Sequence, residues 1–456
     1  MYRKLLVALV LTAVVGHTAG ADKGGDFEKK PAQALEMLAR LKHLSTGRQA
    51  LSADEMALIA DAQNGQLHKL SFAEAALIAS GVTDGAKRKA YVVQLDKIEA
   101  GARAALAGAT TPAQKGELLL RYLHAGPMKP GYGWGPSSLP GLLDTGKYNC
   151  VSSAVLYNLI GRRLGLDLRG MVQPGHAFSI LYDGNRQYEV QTTCARGFDP
   201  KDPTVQKELE EKTGIKPSAS RNNCREIGEV AFLTVICSNR TAELVKDNRY
   251  YEALLVGFLG LALDATNQTA ADNNDAAWTK WTKDLIEQGQ FEKAMTVVAV
   301  GRGLAPKSAG LFCNRDAAWD RWIETTHAQG GEEASRKLIR KLWKENSGDQ
   351  DFQSVVRNHV VRTMHKVLEN AKGARDYKAA LEVIDRHREF LRDESEARYM
   401  SHAVYDTWAQ PLITTGKWAE AIEVYHGALA VYPGDAHLSQ NLEYCQQESK
   451  KQASKK

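Results

Sequence analysis

The sequence has little from which to build a metal centre. Its six cysteines, Cys150, Cys194, Cys224, Cys237, Cys313 and Cys445, are scattered over 456 residues with no Cys-x-x-Cys pair, and no His-x-x-x-His pair accompanies them. Zinc sites usually draw ligands from such close pairs, so neither a metal nor another cofactor is expected. Charge of one sign is scarce too. The formal net charge of +5 is too mild to argue for a nucleic-acid partner. Long apolar runs are missing. One runs from Leu5 to Val15, too short to span a bilayer, and no later segment qualifies, so no stable membrane span is expected. With 25% charged residues, the chain reads as soluble and folded, long enough for two or three domains.

The N-terminus has the pattern of an export signal. Tyr2-Arg-Lys4 is a basic start, Leu5 to Val15 the apolar run, and Ala19-Gly-Ala21 a small-x-small cleavage site, which puts the mature start at Asp22 and the protein in a periplasmic or extracellular space. Such a compartment permits disulfides, with Cys224 and Cys237 the nearest candidate pair.

Chemistry concentrates around two residues. Cys150 opens the helix-like run Val151–Ile160, whose apolar residues Val151, Val155 and Leu159 recur every fourth position; Gly165 is its stop. A helix N-terminus favours a thiolate and offers N–H groups to an oxyanion, so a catalytic Cys150 is expected to be alkylated well below pH 8. His176 starts a strand, Ala177–Tyr182, and Gln187–Thr193 reads as its hairpin partner across a turn at Asp183-Gly184-Asn185. A two-residue Asp183-Gly184 turn sets His176 opposite Gln191, with Glu189 two places along on the same face. Glu189 is the better chemical partner for an imidazolium. Gln191 is the better placed, its carboxamide oxygen holding Nδ1–H. Both stay open as the third member of a Cys150–His176 acyl-transfer site.

Tyr148-Asn-Cys150, Pro174-Gly-His-Ala-Phe178 and the hairpin ending in Thr192-Thr193 together resemble the transglutaminase-like cysteine superfamily. The resemblance covers roughly residues 110–205. It implies a papain-like core, Cys150 as nucleophile and His176 as base, with Phe178 in the family's aromatic position. Gln191 stands where the family has Asp, with Thr193 as the small residue two places later; Glu189 is the carboxylate that would replace it. The family members most similar in organisation are bacterial proteins that also carry tetratricopeptide repeats.

The rest of the chain is mostly helical. Leu35, Leu38, Leu41 and Leu44 form a stripe, Ser52 or Asp54 caps a helix, Ser71 with Glu74 makes a capping box, and Ala90 to Leu106 continues the pattern. Residues 127–141 are a Gly/Pro-rich loop before the nucleophile, whose Tyr132 and Trp134 are cleft candidates; Cys194 to Asn223 reads as another loop, with Arg196 and Arg221 as solvated surface residues. From about residue 245, Tyr250-Tyr-Glu-Ala253, Phe291-Glu-Lys-Ala294, Glu332-Glu-Ala334, Tyr377-Lys-Ala-Ala380 and Trp418-Ala-Glu-Ala421 recur, about 40 residues apart, the mark of a helical solenoid. The last unit resembles a tetratricopeptide repeat, through Trp408, Ala421, Tyr425, Ala428 and Pro433.

The expected protein is α+β. A signal at 1–21 precedes a helical region at 22–110, a papain-like, transglutaminase-type core of helix plus antiparallel sheet at 111–240, and an all-α tetratricopeptide-like solenoid at 241–456. The expected activity is that of a cysteine protease, amidase or transglutaminase-like acyltransferase, with protein or peptide partners on the repeats. The alternative is a catalytically silent core serving a repeat-based binding scaffold.

Overall fold

The structure, a computed structural model, describes residues 31–133, 137–214, 224–346, 348–374, 376–391 and 393–454. The stretch 1–21 expected to be an export signal, Trp134 and Arg221 lie outside the described residues. The class is α+β: helices predominate and a small antiparallel sheet sits among them. The chain divides into two compact units, Met1–Asn314 and Arg315–Lys456.

The first unit opens with α1 (Pro31–Ala39), α2 (Ala53–Asp61), α3 (Phe72–Ala79), α4 (Gly85–Ala105) and α5 (Pro112–Ala125). Local chemistry sets their starts. Ser52 with Glu55, Ser71 with Glu74 and Thr111 with Gln114 form capping boxes, and Asp84 caps α4. Next come β1 (Gly131–Tyr132), α6 (Leu139–Thr145), β2 (Lys147–Tyr148) and α7 (Cys150–Arg163). Strands β3 (Asp167–Gln173), β4 (His176–Asp183), β5 (Arg186–Val190) and β6 (Arg225–Ile227) form one sheet in the order β5-β4-β3-β6, antiparallel throughout. Helix α7 lies on this sheet, and Asn158 donates to Ser179 Oγ at 2.7 Å. Gly161 lets the two approach, since a Cβ there would sit 2.2 Å from Leu168.

The hairpin register differs from the expected one. Asp183 pairs with Arg186 and Ser179 with Val190, so the turn is Gly184-Asn185, with Gly184 at φ +59°. Both dipeptides suit a tight turn, and a slip of two residues leaves every side chain on its original face. Strand β5 also ends at Val190, short of Thr193, because the Gln191 N–H turns to the Gly197 carbonyl at 2.7 Å. The loop after Cys194 contains a helix that the sequence reading missed, α8 (Pro203–Thr213). Asp202 caps it and Pro203 takes its first position, a helix-start signal inside the stretch expected to be a loop.

Five further helices follow: α9 (Glu229–Lys246), α10 (Tyr250–Leu263), α11 (Gln268–Glu287), α12 (Phe291–Leu304) and α13 (Ala309–Glu345), the last running into the second unit. Helix α9 begins ahead of residue 241 and packs on α3 and α7 as well as α10. The second unit adds α14 (Gln350–Ala374), α15 (Tyr377–His387), α16 (Glu394–Thr414), α17 (Trp418–Val431) and α18 (Ala436–Ala453). Helices start at four of the recurring motifs, Tyr250, Phe291, Tyr377 and Trp418. At the fifth, Gly331 with φ 72° breaks α13 just before Glu332. Ala253, Ala294, Ala421 and Ala428 are fully buried, the small residues that let neighbouring helices close up. Among the described residues no helix is long and apolar enough to cross a membrane.

Candidate active site around Cys150 and His176

Asn149 follows β2 and caps the N-terminus of α7. Its Oδ1 accepts from the N–H groups of Val151 (3.0 Å) and Ser152 (3.1 Å), and its Nδ2 donates to Ser137 Oγ at 2.7 Å. This places Cys150 in the first turn of the helix. Burial pushes its thiol pKa up, while the N–H groups of Ala177, then Val151 and Cys150, pull it down. Burial is the larger effect, so the depressed thiol pKa expected of a helix N-terminus is not what the fold produces.

Helix α7 packs on β4, and the backbone N–H of Ala177, the residue after His176, acts on the Cys150 thiol. The first turn of α7 and the start of β4 are thus neighbours, although Cys150 and His176 are 26 positions apart. His176 is buried, and Phe178 on the same strand stacks on its ring at 5.9 Å. His176 Nε2 meets Gln191 Oε1 at 2.8 Å, so Gln191 engages the opposite nitrogen from the one expected. His176 Nδ1 is buried and has no hydrogen-bond partner. Burial lowers the His176 pKa and the Gln191 contact raises it, burial again the larger. Both shifts favour the neutral forms, thiol and imidazole.

The two third-member candidates act in series. Gln191 touches His176, and Gln191 Nε2 donates to Glu189 Oε1 at 2.7 Å. Gly197 holds this bend, since a Cβ on it would fall 2.0 Å from the Gln191 carbonyl oxygen. Tyr132 lies edge-on to Tyr148 at 6.1 Å, because β1 pairs with β2. Burial, then the charge of Cys150, pushes its hydroxyl pKa up, which puts it within electrostatic reach of the nucleophile.

The sequence reading missed His124. Its Nε2 meets the Thr192 carbonyl at 3.1 Å and its Nδ1 the Tyr148 hydroxyl at 3.3 Å. It thus braces the Gln191–Thr193 bend against the strand leading to Cys150. Nothing near His124 in sequence signals this, because its partners are far along the chain. Burial drives the His124 pKa down to about 4 from 6.5. The unfolded chain therefore takes up this proton first. Stability is full above pH 6.5 and falls as pH drops toward 4, by up to about 3 kcal/mol. Urea unfolding at pH 7.5 and 4.5 checks this, with His124→Asn expected to be less sensitive to acid than the native chain by that amount.

Among the described residues no disulfide forms, and Cys224 and Cys237 are not bridged. The Cys224 thiol donates to Gln173 Oε1 at 3.2 Å, and Cys237 is buried in α9. Arg196, expected to be solvated, is exposed but pairs with Glu208 at 3.2 Å. In the second unit Asp320, Glu324 and His359 offer three ligand-type atoms within 4.8 Å of one another. Arg362 and His359 both already bind Asp320, and an ion-pair cluster accounts for the arrangement. No protein-family model matches the chain, and no curated protein matches it.

Proposed function

We propose that this is an exported, transglutaminase-like thiol hydrolase or acyltransferase with a papain-like core, acting on peptide or amide bonds. The observation that carries the reading is the His176 ring. One nitrogen is held by Gln191 and the other is buried without a partner, on the strand whose next residue, Ala177, acts on the Cys150 thiol at the N-terminus of α7. In the proposed reaction His176 Nδ1 takes the Cys150 proton as sulfur attacks the substrate carbonyl carbon. The oxyanion is held by the Cys150 N–H and a neighbouring donor; the Val151 and Ser152 N–H groups already serve Asn149. Collapse breaks the C–N bond, and the leaving amine takes the proton from His176. Water or a second amine then attacks the thioester, again giving its proton to His176, and the thiol is restored. The helical repeats, read as a tetratricopeptide-like solenoid, hold a protein or peptide partner.

A second reading draws on the burial that disfavours the charged form of both groups: a silent core in which the repeats carry the function. One assay decides between them. With an activated acyl ester at neutral pH, the proposed enzyme shows a burst of one equivalent per chain, followed by turnover that an added amine accelerates. Prior alkylation of Cys150 removes both phases. Turnover without a burst, unchanged by that alkylation, rejects the enzyme.

A further inference from the structure

We propose that Glu189 is a positioning residue that fixes which His176 nitrogen carries the proton. The inference rests on the catalytic reading above, but its direct readout does not require turnover. The two ends of the Gln191 carboxamide are nearly the same size and differ in hydrogen-bonding sense. If its oxygen faces His176, Nε2 carries the proton and Nδ1 keeps a lone pair. If its NH2 faces His176, Nε2 must accept and the proton moves to Nδ1, leaving no base for Cys150. The His176 ring alone does not choose between these arrangements.

Glu189 does choose. Gln191 Nε2 lies 2.7 Å from Glu189 Oε1, and a carboxylate only accepts hydrogen bonds. A flipped amide would set oxygen against oxygen there and nitrogen against the Nε2–H of His176. Glu189 is itself fixed in place. It pairs with Ile180 across the hairpin, and its carbonyl accepts from the Asp199 N–H at 2.7 Å. It sits on β5 two residues before Gln191, which follows the strand's end, and the Gln191 amide reaches back to it. The carboxylate thus acts on the base through an amide and not by contact. That accounts for a Gln at the position where direct contact would place an acidic residue: a carboxylate touching the buried ring would favour imidazolium, whereas the amide orders the ring and leaves it neutral.

The test is a swap. In Cys150→Ala protein, 15N chemical shifts of His176 are expected to show the Nε2–H tautomer. Glu189→Gln, which keeps the shape but can donate as well as accept, is expected to give a mixture of tautomers, and Glu189→Ala a larger share of Nδ1–H. The double change Glu189→Gln with Gln191→Glu restores Nε2–H, because the carboxylate now meets the ring directly. In protein that retains Cys150, Glu189→Ala lowers kcat by about 10- to 100-fold with little change in KM, and the double variant recovers part of it. An unchanged Nε2–H tautomer in folded Glu189→Ala protein overturns the proposal. If the tautomers shift as stated but native protein turns over no acyl substrate, the catalytic reading fails and the positioning role of Glu189 stands.

Discussion

Cys150→Ala is expected to abolish turnover of a reactive acyl substrate. His176→Ala is expected to lower it by about 10³-fold or more, and the double variant to be no worse than Cys150→Ala alone. The non-additivity follows from the chemistry, since a base has no task once its nucleophile is gone. Gln191→Ala should cost more than Glu189→Ala, because Gln191 touches the ring at 2.8 Å and Glu189 reaches it only through Gln191. Steady-state rates on folded variants check the order. If Glu189→Ala proves the more damaging, Glu189 contacts the ring during the reaction. Full activity in Cys150→Ala removes the enzyme reading altogether and leaves the repeats as the functional part.

The second large effect is on stability. Glu55→Ala is expected to cost about 3–5 kcal/mol, because it removes the buried carboxylate that two half-buried guanidinium groups, Arg48 and Arg240, share. The Glu55 side chain is fully buried. Arg48 binds both of its oxygens, one at 2.8 Å, and Arg240 lies 3.6 Å away. The same carboxylate accepts from the Ser52 N–H at 2.8 Å, closing the cap of α2. Arg240 belongs to α9 and reaches the Ala79 carbonyl at the end of α3, so the cluster ties the N-terminal helices to the helix that also covers α7. Glu55→Gln keeps the shape and can still meet Ser52, so it should lose less. Urea unfolding gives the value. A loss under about 1 kcal/mol, the range of an exposed ion pair, would mean that the cluster is not dry.

Local signals made several elements legible in the sequence. The apolar spacing after Cys150 marked α7, a cap at Ser52 or Asp54 marked α2, the Ser71–Glu74 capping box marked α3, and the recurring motif marked helical units whose helices start at Tyr250, Phe291, Tyr377 and Trp418. Each depends on neighbours within a turn or two. The hairpin register was not legible, because Asp183-Gly184 and Gly184-Asn185 are equally good turns. The two-residue slip kept Gln191 and Glu189 on the face of His176, so the site residues survived the error. The side of the imidazole that Gln191 engages depends on the bend at Gly197, which no strand pattern foretells. The direction of the thiol shift was not legible for a related reason. A helix N-terminus is visible in sequence, whereas the burial that outweighs it comes from elements far along the chain. His124 escaped notice because its partners, Tyr148 and Thr192, are distant in sequence.

The central claim is that His176 activates Cys150 for attack on an acyl carbon. The most direct measurement mixes the protein with an activated acyl ester near pH 7, quenches in acid within the first turnover and maps the adduct by peptide mass spectrometry. Native protein is predicted to carry one acyl group, on Cys150, and folded His176→Ala to acquire it about 10³-fold more slowly. An adduct that avoids Cys150, or one that forms on Cys150 equally fast in both proteins, would contradict the claim.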